Sequence, residues 1–572
     1  MTISDHRRAL AGGASPEALV AAAYDRLAAW NDPALCLHVV PREQALARAS
    51  GLDRSLPLCG MPVAIKDNLD LAGAPTTAGC PAFSCVATRS AAVVERLEAA
   101  GAVVIAKTNL DQFATGLVGV RSPYGIPRNP LAPERIPGGS SSGSAAIVAA
   151  GIVPIALGTD TAGSGRVPAA CTGIVGWKPT CGAISTRGLV PAVRSLDCVS
   201  IFAGSVGDCA EVAALLTGAD HEDVYSRPAQ TALAPALAGL RLGVLPDSWL
   251  TPCTAAVASA YRHAVARAVT LGMMENPIDF TVFAEAAAAL YAGPWVAERT
   301  AAVGDFLADH PGAGHPVVAS LIAGGRKFSA VEAYRARDRL LALRRQAAHV
   351  WSGIDALLLP TIPGLPAIDA VLADPIAQNS LLGTYTNFAN LLDTCAVAVP
   401  QGRDGDGLPF GVTVFAPAWH EAAVTRVACA LCDEPEPAVA TTADPAVLTL
   451  AVCGAHLRGM PLHRQLLDLG ARFLEETRTA PTYRLFRLPT TPAKPALVRV
   501  AEGGASITVE LYAIAAADLG RLMASVAAPL GIGRVFLADG REVHGFLGEA
   551  AVTAGCPDLT AAGGWREHLR AG

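Results

Sequence analysis

Residues 136–180 read IPGGSSSGSAAIVAAGIVPIALGTDTAGSGRVPAACTGIVGWKPT. Two Gly/Ser clusters, GGSSSGS and TDTAGSG, flank a run of small apolar residues, AAIVAAGIVPIALG. The run predicts a helix followed by a buried strand, which would bring the clusters together in space although they are apart in sequence. A glycine-rich turn has two chemical uses. Its backbone N–H groups can cradle a phosphate, but neither cluster has the GxxxxGK[ST] or GxGxxG pattern which that use demands. Or the same N–H groups converge on an oxyanion developing during acyl transfer, with a serine at the end of the turn as nucleophile.

A serine hydroxyl needs a base. The only histidines before residue 200 are His6 and His38, in a region that reads as helical, which argues against a Ser-His-Asp triad. A lysine can serve instead if burial lowers its pKa towards neutrality. Lys66, at the end of the apolar run MPVAIK, fits that requirement.

Outward from this core, the 572 residues predict two or more domains. With 52% hydrophobic and 16% charged residues the chain can bury a large interior. The net charge of -6 and the lack of any Lys/Arg-rich run exclude nucleic acid as an expected partner. Fourteen cysteines, mostly single and in apolar contexts such as Cys171, Cys395 and Cys453, read as reduced core residues. Cys429 and Cys432 form a CxxC without a second ligand pair and read as part of a core helix, not a metal site. The start has no apolar signal core, and the longest apolar stretch, residues 145–157, is broken by Gly151 and Pro154. No membrane association and a cytoplasmic location are expected.

Residues 15–50 read as Ala/Leu helices. Residues 260–271 have helical periodicity with Tyr261, Val265 and Val269 on one face. The runs MPVAIKDN, AVVIAKTN, LRLGVLPD and DALLLPTIP predict strands between such helices, hence an α/β layered fold. The composition shifts at DEPEPAVATTADPA. The expected division is a catalytic domain over residues 1–435, a linker over 436–446 and a smaller α+β domain over 447–572. In the latter, residues 506–514 alternate like a half-buried strand and residues 460–474 predict a helix.

Lys66 in PVAIKDN, the GGSS and GTDTAGS clusters and the WKPT at residues 177–180 together resemble the amidase-signature family. The resemblance covers nearly all of residues 55–430. It implies a mixed sheet flanked by helices, with neither metal nor organic cofactor. Carried over by motif position, it makes Lys66 the base, Ser140 a proton relay held by a cis peptide bond, and Ser164 the nucleophile. Ser141 is the rival for the relay. The oxyanion hole would come from the backbone N–H groups of Thr161, Ala162, Gly163 and Ser164. The chain departs from the family pattern at Ser142 and Ala162, where glycine is usual.

Two further segments resemble the allophanate hydrolase subgroup: NLDQFATGLVGVRSPYG (residues 109–125), with Gln112 and Gly116, and LYAGPWVAERTAAV (residues 290–303). The subgroup implies that Tyr291 and Arg299 hold the carboxylate of a small anionic amide, with Gly116 leaving room for it. Without the resemblance, Arg299 would be read as pairing with Glu298. The tail resembles the C-terminal domain of that subgroup, similar in fold to γ-glutamyl cyclotransferase-like proteins, with His456 and Glu510 as candidate pocket residues. Either could also be structural: His456 as a satisfied histidine at a turn, Glu510 on the wet face of its strand. The implied reaction is hydrolysis of allophanate to ammonia and N-carboxycarbamate, by a homodimer coupled to a separate urea carboxylase. Another small-amide hydrolase, such as one for biuret or malonamide, is the nearest alternative. A glutaminase component of an amidotransferase and a non-catalytic scaffold are more distant ones.

Overall fold

The computed structural model describes residues 2–230, 232, 234–437 and 447–571. The chain separates into two compact units, one of residues 1–230 and 236–440, the other of residues 231–235 and 441–572. Most of the expected linker, residues 438–446, lies outside the described residues. Among the described residues no helix is long and apolar enough to cross a membrane.

The first unit is built on an eleven-stranded sheet: β1 (Cys36–Val39), β2 (Met61–Lys66), β3 (Ala102–Thr108), β4 (Ile155–Asp160), β5 (Val175–Lys178), β6 (Cys198–Ala203), β7 (Arg241–Val244), β8 (Met274–Pro277), β9 (Ala356–Pro360), β10 (Thr394–Arg403) and β11 (Pro409–Pro417). Their spatial order is β1-β3-β2-β4-β6-β5-β10-β11-β9-β7-β8. Pairing is parallel for β2 with β3 and β4, antiparallel from β4 through β6, β5, β10 and β11 to β9, then parallel to β7 and β8. The sheet is therefore mixed, as expected. Strands β2 to β6 are buried along their whole length, because helices cover both faces and leave no wet side for alternation.

The helix predicted between the Gly/Ser clusters is α1 (Ser142–Ala149), and the buried strand after it is β4. Its small residues have a packing reason: a Cβ at Gly143 would lie 2.6 Å from both the Asn109 backbone nitrogen and the Leu35 carbonyl oxygen. After β4 the chain turns through residues 161–166 into a short helix, α2 (Val167–Thr172). A Cβ at Gly176 in β5 would collide with the Gly165 carbonyl in that turn. Two longer helices, α3 (Thr281–Ala292) and α4 (Trp295–Asp309), follow the last parallel strand pair.

The region expected to be helical over residues 15–50 contains helices Pro16–Trp30 and Arg42–Ser50, but β1 lies between them as a four-residue edge strand. The predicted face of residues 260–271 holds for Tyr261 and Val265, while Val269 is exposed.

The second unit has a five-stranded sheet. Its strands are β12 (Val447–Val452), β13 (Arg472–Arg478), β16 (Thr508–Ala515), β17 (Leu530–Phe536) and β18 (Glu542–Gly548), in the order β13-β16-β12-β18-β17. A ribbon of β14 (Tyr483–Leu488) and β15 (Lys494–Arg499) accompanies it. Two expectations are corrected here. Strand β16 is buried on both faces from Val509 to Ala515, since it lies inside the sheet between β13 and β12 and is covered on both sides. The helix expected over residues 460–474 is only His463–Asp468. Gly470, at φ +67°, breaks it, and β13 begins two residues later.

Gly176→Ala should lower stability by about 1–3 kcal/mol, because neither the β5 backbone nor the Gly165 carbonyl can retreat. A falling thermal midpoint with the fold retained is the outcome to look for.

Candidate active site

Parallel strands β2 and β4 end side by side, and their last residues are Lys66 and Asp160. Lys66 is fully buried. Its Nζ donates to Ser140 Oγ at 2.7 Å and to Thr159 Oγ1 at 2.8 Å. The Gly139–Ser140 peptide bond is cis. Ser141 is differently employed: its hydroxyl donates to the Thr159 carbonyl (3.1 Å) and accepts the Thr159 N–H (3.3 Å), so it staples α1 to β4 and does not meet Lys66. Burial pulls the Lys66 pKa down to about 7. The carboxylates of Asp111, Asp197 and Asp160 oppose the fall, and the charge of Arg299 adds to it.

Ser164 is buried in the turn after β4. A fully buried ion pair across the turn's two ends shapes it. Arg166 Nε and Nη2 donate to the two Asp160 oxygens at 2.9 and 3.0 Å, and the Gly165 N–H donates to Asp160 Oδ2 at 3.0 Å. Burial alone would push the Asp160 carboxyl up. Arg166, Lys178 and the Gly165 N–H outweigh it and hold the group below its ordinary value. Arg166 also donates twice to the Thr386 carbonyl, and a Cβ at Gly163 would meet Thr386 Oγ1 at 2.5 Å. At the front of the turn the Thr161 hydroxyl donates to Asp197 at 2.5 Å. Asp197 is pushed up by burial.

Arg299 enters from α4 and is 2% exposed. Its Nη1 donates to Thr115 Oγ1 at 2.8 Å and its guanidinium carbon lies 5.4 Å from the centre of the Tyr291 ring. Its Nη2 is buried without a hydrogen-bond partner, and Arg299 makes no ion pair among the described residues. Glu298 points elsewhere and accepts from Ser195. Gln112 and Gly116 are both engaged with neighbouring segments of the fold. Gln112 Nε2 donates to the carbonyls of Gly79 and Ala313 (3.2 Å each) and its Oε1 accepts the His315 N–H at 2.6 Å. A Cβ at Gly116 would lie 2.6 Å from Asp111 Oδ2, so the missing side chain makes room for Asp111. That carboxylate in turn accepts the N–H groups of Val118, Gly119 and Arg121.

A model of the amidase family matches residues 18–425. The chain belongs to the amidase family. A model of the allophanate hydrolase C-terminal domain matches residues 448–570. The urea amidolyase of Saccharomyces cerevisiae is 40% identical over 546 residues, which are 90% of this chain and 30% of that protein. The chain thus spans about 30% of the length of the curated relatives it matches first. A glutamyl-tRNA(Gln) amidotransferase component from a Synechococcus species is 34% identical over 71% of this chain and 91% of its own. The structure of Kluyveromyces lactis allophanate hydrolase superposes with a TM-score of 0.78 at 37% identity, covering 100% of this chain and 99% of that one.

Within this amidase, the residues brought together around Lys66 include several that motif reading passes over: Thr159, the Asp160–Arg166 pair, Asp111 and Asp197. Asp160 and Arg166 stand inside the Gly/Ser-rich stretch of residues 136–180, and a carboxylate followed by a guanidinium across a glycine turn was the available signal.

In the second unit, His456 lines a cavity of about 50 Å³ with Cys453, Gln465, Lys494, Ser525 and Phe546. Its ring stacks on Phe546 at 4.9 Å, and Nε2 lies 3.0 Å from Gln465 Oε1. Burial lowers its pKa. Glu510 faces inward and is fully buried. It accepts from the Arg458 N–H and Nε, from Tyr512 and from Arg566 Nη2 at 2.6–3.1 Å, which makes it the centre of an ionic cluster.

Asp160→Asn leaves Arg166 charged and unpaired in a dry interior. Chemical denaturation should show a loss of about 3–5 kcal/mol, where an exposed pair would cost under about 1 kcal/mol.

Proposed function

We propose that this amidase hydrolyses the terminal carboxamide of allophanate. The observation that carries the reading is Arg299: a buried guanidinium with one nitrogen unpartnered and no ion pair among the described residues. A buried cation without a counter-charge is costly. A substrate carboxylate supplies the missing charge, and a guanidinium grips it through directed hydrogen bonds. The match to the allophanate hydrolase C-terminal domain and the likeness to the K. lactis allophanate hydrolase support the same substrate.

The chemistry follows from the geometry. Lys66 is neutral for a large part of the time at physiological pH and accepts the Ser140 proton. Ser140 takes the proton of Ser164, which attacks the carboxamide carbon. The N–H groups of Thr161, Ala162, Gly163 and Ser164 stabilise the oxyanion. The proton returns to the leaving nitrogen, ammonia departs, and water cleaves the acyl-enzyme. Tyr291 faces the guanidinium and orients it. The product, N-carboxycarbamate, then loses carbon dioxide. His456 and its cavity are the candidate place for that second step, while Glu510 holds the second unit together. The same reading includes a homodimer in the cytoplasm and urea as the source of allophanate, through the action of a urea carboxylase. The urea amidolyase relatives favour that source over biuret.

Ammonia release from allophanate is the test. Ser164→Ala should reduce kcat by more than about a thousandfold. Arg299→Ala should lower kcat/KM by roughly 10–100-fold, the worth of a charge-assisted pair. Hydrolysis of neutral amides in preference to allophanate by the wild type would overturn the substrate.

The pH dependence follows from Lys66. The base works only when deprotonated, so kcat/KM should rise with pH through about 7 and level off above it. A profile flat from pH 5.5 to roughly 9 would mean that another group is the base.

A further inference from the structure

Helix α4 carries two adjacent charged residues that face different ways, because successive helical positions differ by about 100°. Arg299 turns to Thr115 and the site. Glu298 leaves the site and takes hold of another segment: Oε2 accepts the Ser195 N–H at 2.9 Å and Oε1 accepts the Ser195 hydroxyl at 2.5 Å. Ser195 belongs to residues 191–197, the segment that leads into β6.

That segment is a stiff turn. The N–H groups of Leu196 and Asp197 both donate to the Val193 carbonyl, and the Asp197 carboxylate closes the turn by accepting from Ala192 and Val193. The same carboxylate reaches out of the segment to the Thr161 hydroxyl. Asn390 Nδ2 ties the two parts again, donating to the Leu196 carbonyl at 2.6 Å and the Asp160 carbonyl at 2.7 Å. A continuous chain of contacts thus runs from the helix that holds Arg299 to the first residue of the turn that holds Ser164. The start of α4 has no side-chain cap hydrogen bond and follows Gly293 and Pro294, and the grip on Ser195 is one of the contacts that hold it.

We propose that Glu298 is a positioning residue that couples capture of the substrate carboxylate by Arg299 to the oxyanion turn, through Ser195 and Asp197. The proposal rests on the reading of Arg299 as the carboxylate clamp. A carboxylate drawn onto Arg299 seats the start of α4. Glu298 then fixes the 191–197 segment, and Asp197 fixes Thr161, whose N–H faces the developing oxyanion. A substrate without a carboxylate leaves α4 unseated. Discrimination is therefore expressed in turnover as well as in affinity. Glu298 makes its contacts at the surface, so its loss changes global stability little.

The experiment measures ammonia release from allophanate by the full chain carrying Glu298→Ala, Glu298→Gln, Arg299→Ala or both alanines. Coupling predicts that Glu298→Ala lowers kcat about tenfold while KM stays within about twofold, with the thermal midpoint moved by less than about 2 °C. Glu298→Gln, whose amide can still accept from the Ser195 N–H and reach its hydroxyl, should recover most of the turnover. In the Arg299→Ala background, adding Glu298→Ala should cost less than about twofold more, because the signal it transmits is already absent. Unchanged kcat in Glu298→Ala, a loss confined to KM, or losses that multiply in the double variant would each overturn the coupling. If Arg299→Ala is impaired and Glu298→Ala is not, the coupling alone falls. If Arg299→Ala matches the wild type, the carboxylate clamp falls and takes the coupling with it.

Discussion

The removal of water from one amine governs this site. Lys66 lies where two parallel strands end, with no exposed surface, and its two near partners are hydroxyls, not carboxylates. A carboxylate at the same distance would keep the amine charged and useless as a base. The surrounding acids are each committed elsewhere: Asp160 to Arg166, Asp111 to three backbone N–H groups, Asp197 to Thr161 and its own turn. They raise the Lys66 pKa only from a distance, and burial wins. The depressed pKa is therefore a property of the whole arrangement of strands, turns and committed acids around it.

Much of the first unit was legible because its signals are local. A run such as MPVAIK or DALLLP announces a strand by its own composition, and the Gly/Ser clusters announce tight turns. Their meeting around Lys66 was legible too, since a helix and a strand of the right length separate them. What stayed hidden depends on distant partners. Nothing in the sequence near Asp111 says that its oxygens will cap residues 118–121, and Asp197 meets Thr161 only because β4 and β6 pair antiparallel. Gly116 and Gln112 stood in an informative segment, but which neighbour each would meet was decided by packing. Gly116 yields its space to Asp111, and Gln112 joins three backbone segments.

The second unit was harder to read for a related reason. Burial of β16 on both faces removes the contrast that periodicity relies on, so Glu510 could be read as wet or as functional. It is neither on the wet face nor against the cavity around His456; two arginines, a tyrosine and a backbone N–H enclose it. A lone acid in an apolar strand says that it must be satisfied, but not by what.

The tight packing at the glycines around the 161–166 turn has a consequence for how such a protein can diverge. At Gly143, Gly158 and Gly165 a single added carbon would come within 2.5–2.6 Å of another atom. That packing admits almost no substitution, so inherited variation cannot remodel it gradually. Helices α3 and α4 differ: they carry long side chains, Tyr291 and Arg299, whose exchange leaves those glycine contacts in place. New amide substrates can therefore be acquired by rewriting the α3–α4 segment, while the machinery that breaks the bond is inherited unchanged.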